Sequence, residues 1–199
     1  MISLALTGPA CRVLVFLAII GIWTLPLQAQ GKETVRQLDE KNRRYFTDLV
    51  VSTHEGTNVR FYSDLLKDRI VVINFFYTNC PTAQTSLSTL FRVQQSLGDA
   101  LGKEVVLLSL SVDPERDSVE AVRKYAGKFN PRKGWTFVTG KPQNIDAINI
   151  KLGNRNLIPE FHIQVFLLGN LATGQWMRLP ETARAEAVVE GVRNLMSSK

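Results

Sequence analysis

The sequence predicts an α/β layer fold, with a central sheet of parallel crossovers and an antiparallel portion, flanked by helices. Three observations carry this expectation. The runs Arg69–Tyr77 (RIVVINFFY) and Glu104–Val112 (EVVLLSLSV) are almost wholly apolar and rich in β-branched or aromatic residues, as strands buried on both faces must be. Each is followed by apolar residues at helical spacing, the pattern of a strand–helix–strand crossover. Near the C-terminus, two further extended runs lie on either side of a glycine-bounded turn, which adds an antiparallel pair.

The elements follow in order. Residues 1–29 contain no acidic residue and one basic residue, Arg12, ahead of the apolar run Val13–Leu27. This is the pattern of an export signal, with Ala29 as the small residue at the cut. An uncleaved membrane anchor is the alternative, but a run interrupted by Pro26 falls short of the about 20 apolar residues that a span needs. Residues 30–44 are polar and read as a tether with a short helix over Glu33–Arg44, and the globular domain is expected over residues 45–199. Phe46–Val51 and Asn58–Phe61 flank a loop containing Gly56 and predict an N-terminal hairpin.

After the first buried strand, Pro81 suits a helix N-terminus, and Leu87, Leu90, Phe91 and Leu97 continue at helical spacing. Asp117-Ser118-Val119-Glu120 reads as a capping box that opens a helix to about Phe129. Trp135–Thr139 is a short strand and Gln143–Leu152 a helix. Phe161–Leu168 is an apolar strand that can pair with Gln175–Leu179, and Glu181–Leu195 is a closing helix.

Composition narrows the function classes. With 199 residues, 45% hydrophobic and 21% charged, the chain suits one globular domain and excludes disorder and a multi-span membrane architecture. The net charge of +6, or +5 without Arg12, comes from scattered residues such as Arg43-Arg44 and Arg132-Lys133. Because they lack aromatic interleaving, no nucleic-acid partner is expected. Gly-rich phosphate loops, C-x-x-C zinc spacing and a Ser-His-Asp arrangement are absent.

Cysteine usage is more telling. Cys11 lies in the export segment, so Cys80 is left as a single thiol in an oxidising compartment, where no intramolecular disulfide is open to it. In Thr78-Asn79-Cys80-Pro81-Thr82 it sits between a strand and a helix. At that turn the helix dipole and unpaired backbone N–H groups favour the thiolate, and so nucleophilic or metal-ligating chemistry. A small buried hydrophobe is the plain alternative.

Three stretches carry a family resemblance: NFFYTNCP at 74–81, SVDPERDSVEAVRKYAGKF at 111–129, and GWTFVTG at 134–140. In this order they resemble the SCO/SenC family, and the similarity runs from about Tyr45 to about Leu195. The resemblance implies a thioredoxin-like fold with a central mixed sheet, in an exported or membrane-anchored protein associated with copper delivery during cytochrome c oxidase assembly. It also implies a copper site of two cysteines spaced C-x-x-x-C and a distant histidine. Cys80 matches the first cysteine and His162, in PEFHIQVFLL, matches the histidine, whereas the second cysteine falls on Gln84. The family's alternative of a disulfide between the two motif cysteines is thereby excluded.

Three functional readings follow. The first is a copper-binding accessory protein of periplasmic or membrane-anchored location, with Cys80 and His162 as metal ligands, copper as the metal, and a cytochrome c oxidase subunit or another cuproprotein as client. The second is a one-cysteine thiol redox enzyme acting through Cys80, although Ile73 and Tyr77 stand where a peroxiredoxin needs Pro and Thr or Ser. The third is an interaction module that has lost the copper site at Gln84. Met177, in the strand after the His162 strand, is the one methionine with a route toward the site. His54 reads as a surface residue of the hairpin loop. Asp113-Pro114-Glu115-Arg116-Asp117 reads as a strand end, a proline turn and a helix cap.

Overall fold

The computed structural model describes residues 27–81 and 83–198, so the export-signal reading lies almost wholly outside them. Seven strands form one sheet, in the order β2-β1-β5-β4-β3-β6-β7. The strands are β1 Val50–Thr53, β2 Asn58–Arg60, β3 Ile70–Phe76, β4 Val105–Ser111, β5 Trp135–Thr139, β6 Val165–Asn170 and β7 Gln175–Pro180. The helices are α1 Leu27–Phe46, α2 Ala83–Leu97, α3 Val119–Ala126, α4 Pro142–Lys151 and α5 Ala185–Ser197.

Strands β3, β4 and β5 run parallel, as the crossover pattern requires, with Ile70 opposite Val105 and Leu107 opposite Trp135. Every residue of β3 is buried, which explains why its sequence shows no polar alternation. Strands β6 and β7 add the antiparallel portion, with Ile73 opposite Leu167 and Leu168 opposite Met177. One face packs on α2 and α5, where a Cβ at Gly191 would come within 2.9 Å of Met177 Sδ and 2.7 Å of Leu168. Rings of Phe76, Tyr125, Phe129, Trp135 and Phe137 fill the same side near α3.

The N-terminal hairpin is present, but it starts later than expected. Phe46 ends α1 instead of opening β1, because Arg43 and Arg44 suit the negative end of the helix and Thr47, at φ 67°, turns the chain out of it. The polar segment over residues 30–44 is helical, and its C-terminal part lies against the body. Asn42 Nδ2 donates to Leu171 O at 2.8 Å, and Lys67 Nζ and the Tyr62 hydroxyl both donate to Asp39. Among the described residues no helix is long and apolar enough to cross a membrane.

Two further expectations are corrected. Phe161 is 67% exposed in a 3-10 turn begun by Pro159, so the fourth apolar strand starts only at Val165. Ser118, rather than a full capping box, caps α3 through Ala121 N–H at 3.2 Å, since the residue three beyond the cap is alanine. Asp117 is thereby free to turn inward.

Candidate metal centre

Cys80 and His162 reach the C-terminal end of the parallel strands from two different loops. The first loop leaves β3 at Phe76 and enters α2 at Ala83; the second follows α4 and enters β6. Both side chains are buried, Cys80 at 8% exposure and His162 at 6%. Tyr77 touches both. Its ring meets the His162 imidazole edge to face, with centroids 6.0 Å apart and planes at 89°, and its hydroxyl lies within electrostatic reach of the Cys80 side chain. Burial, followed by the nearby charge of Cys80, raises the Tyr77 pKa. Tyr125 is pushed up to about 12, again by burial first and then by the charges of Cys80 and Asp117.

The histidine ring is held in one tautomer. Its Nδ1 lies 2.8 Å from the carbonyl oxygen of Pro159, and since a carbonyl only accepts, Nδ1 carries the proton. Nε2 is then a bare lone pair, and it is buried with no hydrogen-bond partner. Leaving such an acceptor unmatched costs about 1–3 kcal/mol, which a Lewis acid at that position removes. Among the described residues no group of three or more His, Cys, Asp or Glu side chains converges as a metal site.

A buried hydrogen-bond chain joins the two loops. The backbone N–H and the hydroxyl of Thr78 donate to Asp117 Oδ1 at 3.1 and 2.7 Å, and the Ser111 hydroxyl donates to Asp117 Oδ2 at 2.6 Å. The Ser111 carbonyl accepts from Asn149 Nδ2 at 3.0 Å, and Asn149 Oδ1 accepts from Asn154 Nδ2 at 3.0 Å. Asn154 Oδ1 finally accepts the Ile163 N–H at 3.2 Å, next to His162. Ser111, Asp117, Asn149 and Asn154 are all buried. Burial raises the pKa of Asp117, while the Ser111 and Thr78 donors pull it back.

Other residues singled out in the sequence fall elsewhere. Gln84 is exposed in the first turn of α2, in a groove of about 470 Å³ that it shares with Phe91, Arg92, Tyr125 and Lys128. Met177 has no route to the site: it lies opposite Leu168, about six residues back from His162, roughly 15–20 Å at strand rise, and packs under α5. His54 is more than a surface residue, because its Nδ1 accepts the Phe137 N–H at 3.2 Å and burial lowers its pKa. Asp113 pairs with Arg116. The residues that sequence reasoning missed are Tyr77, Asn149 and Asn154.

A mixed sheet of this order, with a thiol at a strand-to-helix turn and a buried imidazole reaching the same end of the sheet, defines an α/β protein of the thioredoxin-like class. The chain belongs to the SCO1/SenC family, whose sequence model matches residues 41–153. The SCO1 protein homolog of Bacillus subtilis (strain 168) is 31% identical over 91 residues, 45% of this chain and 46% of that protein. "Protein SCO1 homolog 1, mitochondrial" of Arabidopsis thaliana is 31% identical over 84 residues, 42% of this chain and 25% of that protein. These matches span less than half the length of either curated relative. Yeast Sco1, solved with copper bound, superposes with a TM-score of 0.61 at 20% identity, covering 75% of this chain and 90% of that one. BsSco, described as a member of the Sco family of cytochrome c oxidase assembly proteins and as having a disulfide switch, gives 0.59 at 22% identity, covering 77% and 94%. At these identities the likeness establishes the shared fold.

Proposed function

We propose that this chain is an exported copper-handling protein that holds copper as cargo on Cys80 and His162 and delivers it to a cuproprotein, a cytochrome c oxidase subunit being the foremost candidate. The observation that carries the reading is the buried, unpartnered Nε2 of His162, held by the Nδ1–Pro159 contact on the same tyrosine that touches Cys80. A thiolate and a neutral imidazole form a soft, low-coordinate donor pair, which suits Cu(I) better than an amide oxygen would. Gln84 on the family position of the second cysteine leaves the site with one thiolate, so cargo is held more loosely than by two. The apolar run before α1 supports a location outside the cytoplasm and close to a membrane.

The test is an anaerobic Cu(I) titration of the full chain against a competing chelator, beside Cys80→Ser, His162→Ala and Gln84→Cys. One equivalent taken up, abolished in Cys80→Ser and weakened in His162→Ala, is the expected result. No uptake by the natural chain, with uptake restored by Gln84→Cys, would overturn it in favour of an interaction module that has kept the scaffold and given up the metal.

A further inference from the structure

A second site lies far from the cysteine, on the face of the sheet opposite α2 and α5. There α1, the end of α4 and the edge strand β7 enclose a groove of about 690 Å³. On α1 the lining positions are Leu38, Lys41, Asn42 and Tyr45, a spacing that places them on one helix face. The wall is aromatic. The Trp176 ring lies flat over Gly169, where an added Cβ would sit 2.5 Å from it, and its centroid is 5.4 Å from that of Phe46. Only glycine at position 169 leaves room for that wall.

Two properties of this groove need a ligand to explain them. Tyr45, Ile150 and Trp176 come from three different elements, yet all leave large apolar surface in water, at 51%, 47% and 38% exposure. Lys41, Lys151, Arg155 and Arg178 rim the same space, and no acidic side chain lines it. None of these four cations belongs to an ion pair among the described residues. Lys151 instead lies over the Tyr45 ring at 5.5 Å. An apolar floor with convergent unpaired charge of one sign, in a volume within the usual range for small-molecule sites, calls for a ligand of matching division.

From this arrangement we infer that the groove under α1 binds an anionic amphiphile, with a carboxylate or phosphate head among Lys41, Lys151, Arg155 and Arg178 and an apolar body against Tyr45 and Trp176. The head satisfies cations that the fold leaves unpaired, and the body covers the exposed rings. The site involves neither Cys80 nor His162, so it stands or falls independently of copper.

Trp176 provides the readout. The full chain is placed in phosphatidylcholine vesicles and titrated with monomeric decyl phosphate, with decyl maltoside as the uncharged control. The emission difference between the natural chain and Trp176→Phe isolates this residue from Trp23 and Trp135. A saturable change with decyl phosphate and none with decyl maltoside is expected, weakened roughly tenfold in Arg178→Glu and in Lys151→Glu and reduced by salt. A parallel arm replaces part of the phosphatidylcholine with phosphatidylglycerol. A response to that arm alone assigns the head to a bilayer lipid, and a response to decyl phosphate assigns it to a free amphiphile. Equal response to the uncharged amphiphile, unchanged affinity in both charge-reversed chains with native circular dichroism, or no response to either anionic probe would overturn the assignment.

Discussion

The Cys80 loop and the His162 loop meet at Tyr77, but they are held in place by different chemistry. The Cys80 loop hangs on one carboxylate, Asp117, which takes both the N–H and the hydroxyl of Thr78. The His162 loop hangs on two neutral amides in series, Asn149 and Asn154. Both supports end on Ser111, at the last residue of β4, the first through its hydroxyl and the second through its carbonyl. A carboxylate accepts several donors at once but must be desolvated, whereas amides both donate and accept without charge. The cysteine side is therefore tied more strongly, through a support that titrates, while the histidine side rests on weaker and uncharged amide supports.

Removing each support in turn tests that contrast. Asp117→Ala leaves three donors unmatched, two of them on Thr78, and is expected to cost about 3 kcal/mol in chemical denaturation, at about 1 kcal/mol for each lost bond. Copper retention should fall with it, because Cys80 is two residues from Thr78. Asn154→Ala removes one bond to Asn149 and one from Ile163, so about 2 kcal/mol is expected from the same measurement. If the two substitutions proved equal, or if Asn154→Ala were the more damaging, the ranking of the supports would be reversed.

The pH dependence sharpens the comparison next. Burial raises the Asp117 pKa above the ordinary 3.8, so the folded state holds that proton more tightly than the unfolded chain does. The part of its stability that comes from holding that proton is full below about 3.8 and is lost as pH rises through the folded-state value. Asp117→Asn removes this slope and keeps an oxygen for Thr78. Denaturation curves of the two chains from acid to neutral pH should converge at the acid end and separate in favour of the asparagine chain as pH rises. The analogous Asn154→Asp chain tests the other loop, where a new buried carboxylate adds a pH dependence that the amide support lacks.

Much of this architecture was legible in the sequence because burial writes itself into composition. Strands β3 and β4 are apolar on both faces, so no alternation had to be resolved, and they stand within a residue of their expected limits. The N-terminal junction was not, since Tyr45-Phe46 reads as the start of a strand until the two arginines and the turn at Thr47 are weighed. Phe161 misled in the same direction, because an aromatic residue beside an apolar run looks like strand until Pro159 closes a turn around it. At the site, Cys80 was marked by its place between a strand and a helix, and His162 only by the family resemblance. Asn149 and Asn154 could not, for an asparagine on a helix end is ordinarily a solvated one, and only the tertiary fold puts these two in a buried chain. Met177 was misplaced because strand pairing is foreseeable but register is not.

The smallest change in stability, and the most direct probe of the meeting point, is Tyr77→Phe. Phenylalanine keeps the ring that packs edge to face on His162 and removes the hydroxyl that interacts with Cys80, so the fold should lose about 1 kcal/mol or less. A hydrogen bond to a thiolate withdraws electron density from sulfur, and its removal makes the sulfur a stronger donor. In a chain loaded with Cu(II), the sulfur-to-copper charge-transfer band should therefore shift to lower energy while the histidine signature stays fixed. Tyr77→Leu, which removes the ring as well, should disturb both. If the band did not move in Tyr77→Phe, Tyr77 would be a packing residue between two loops and would have no part in tuning what they hold.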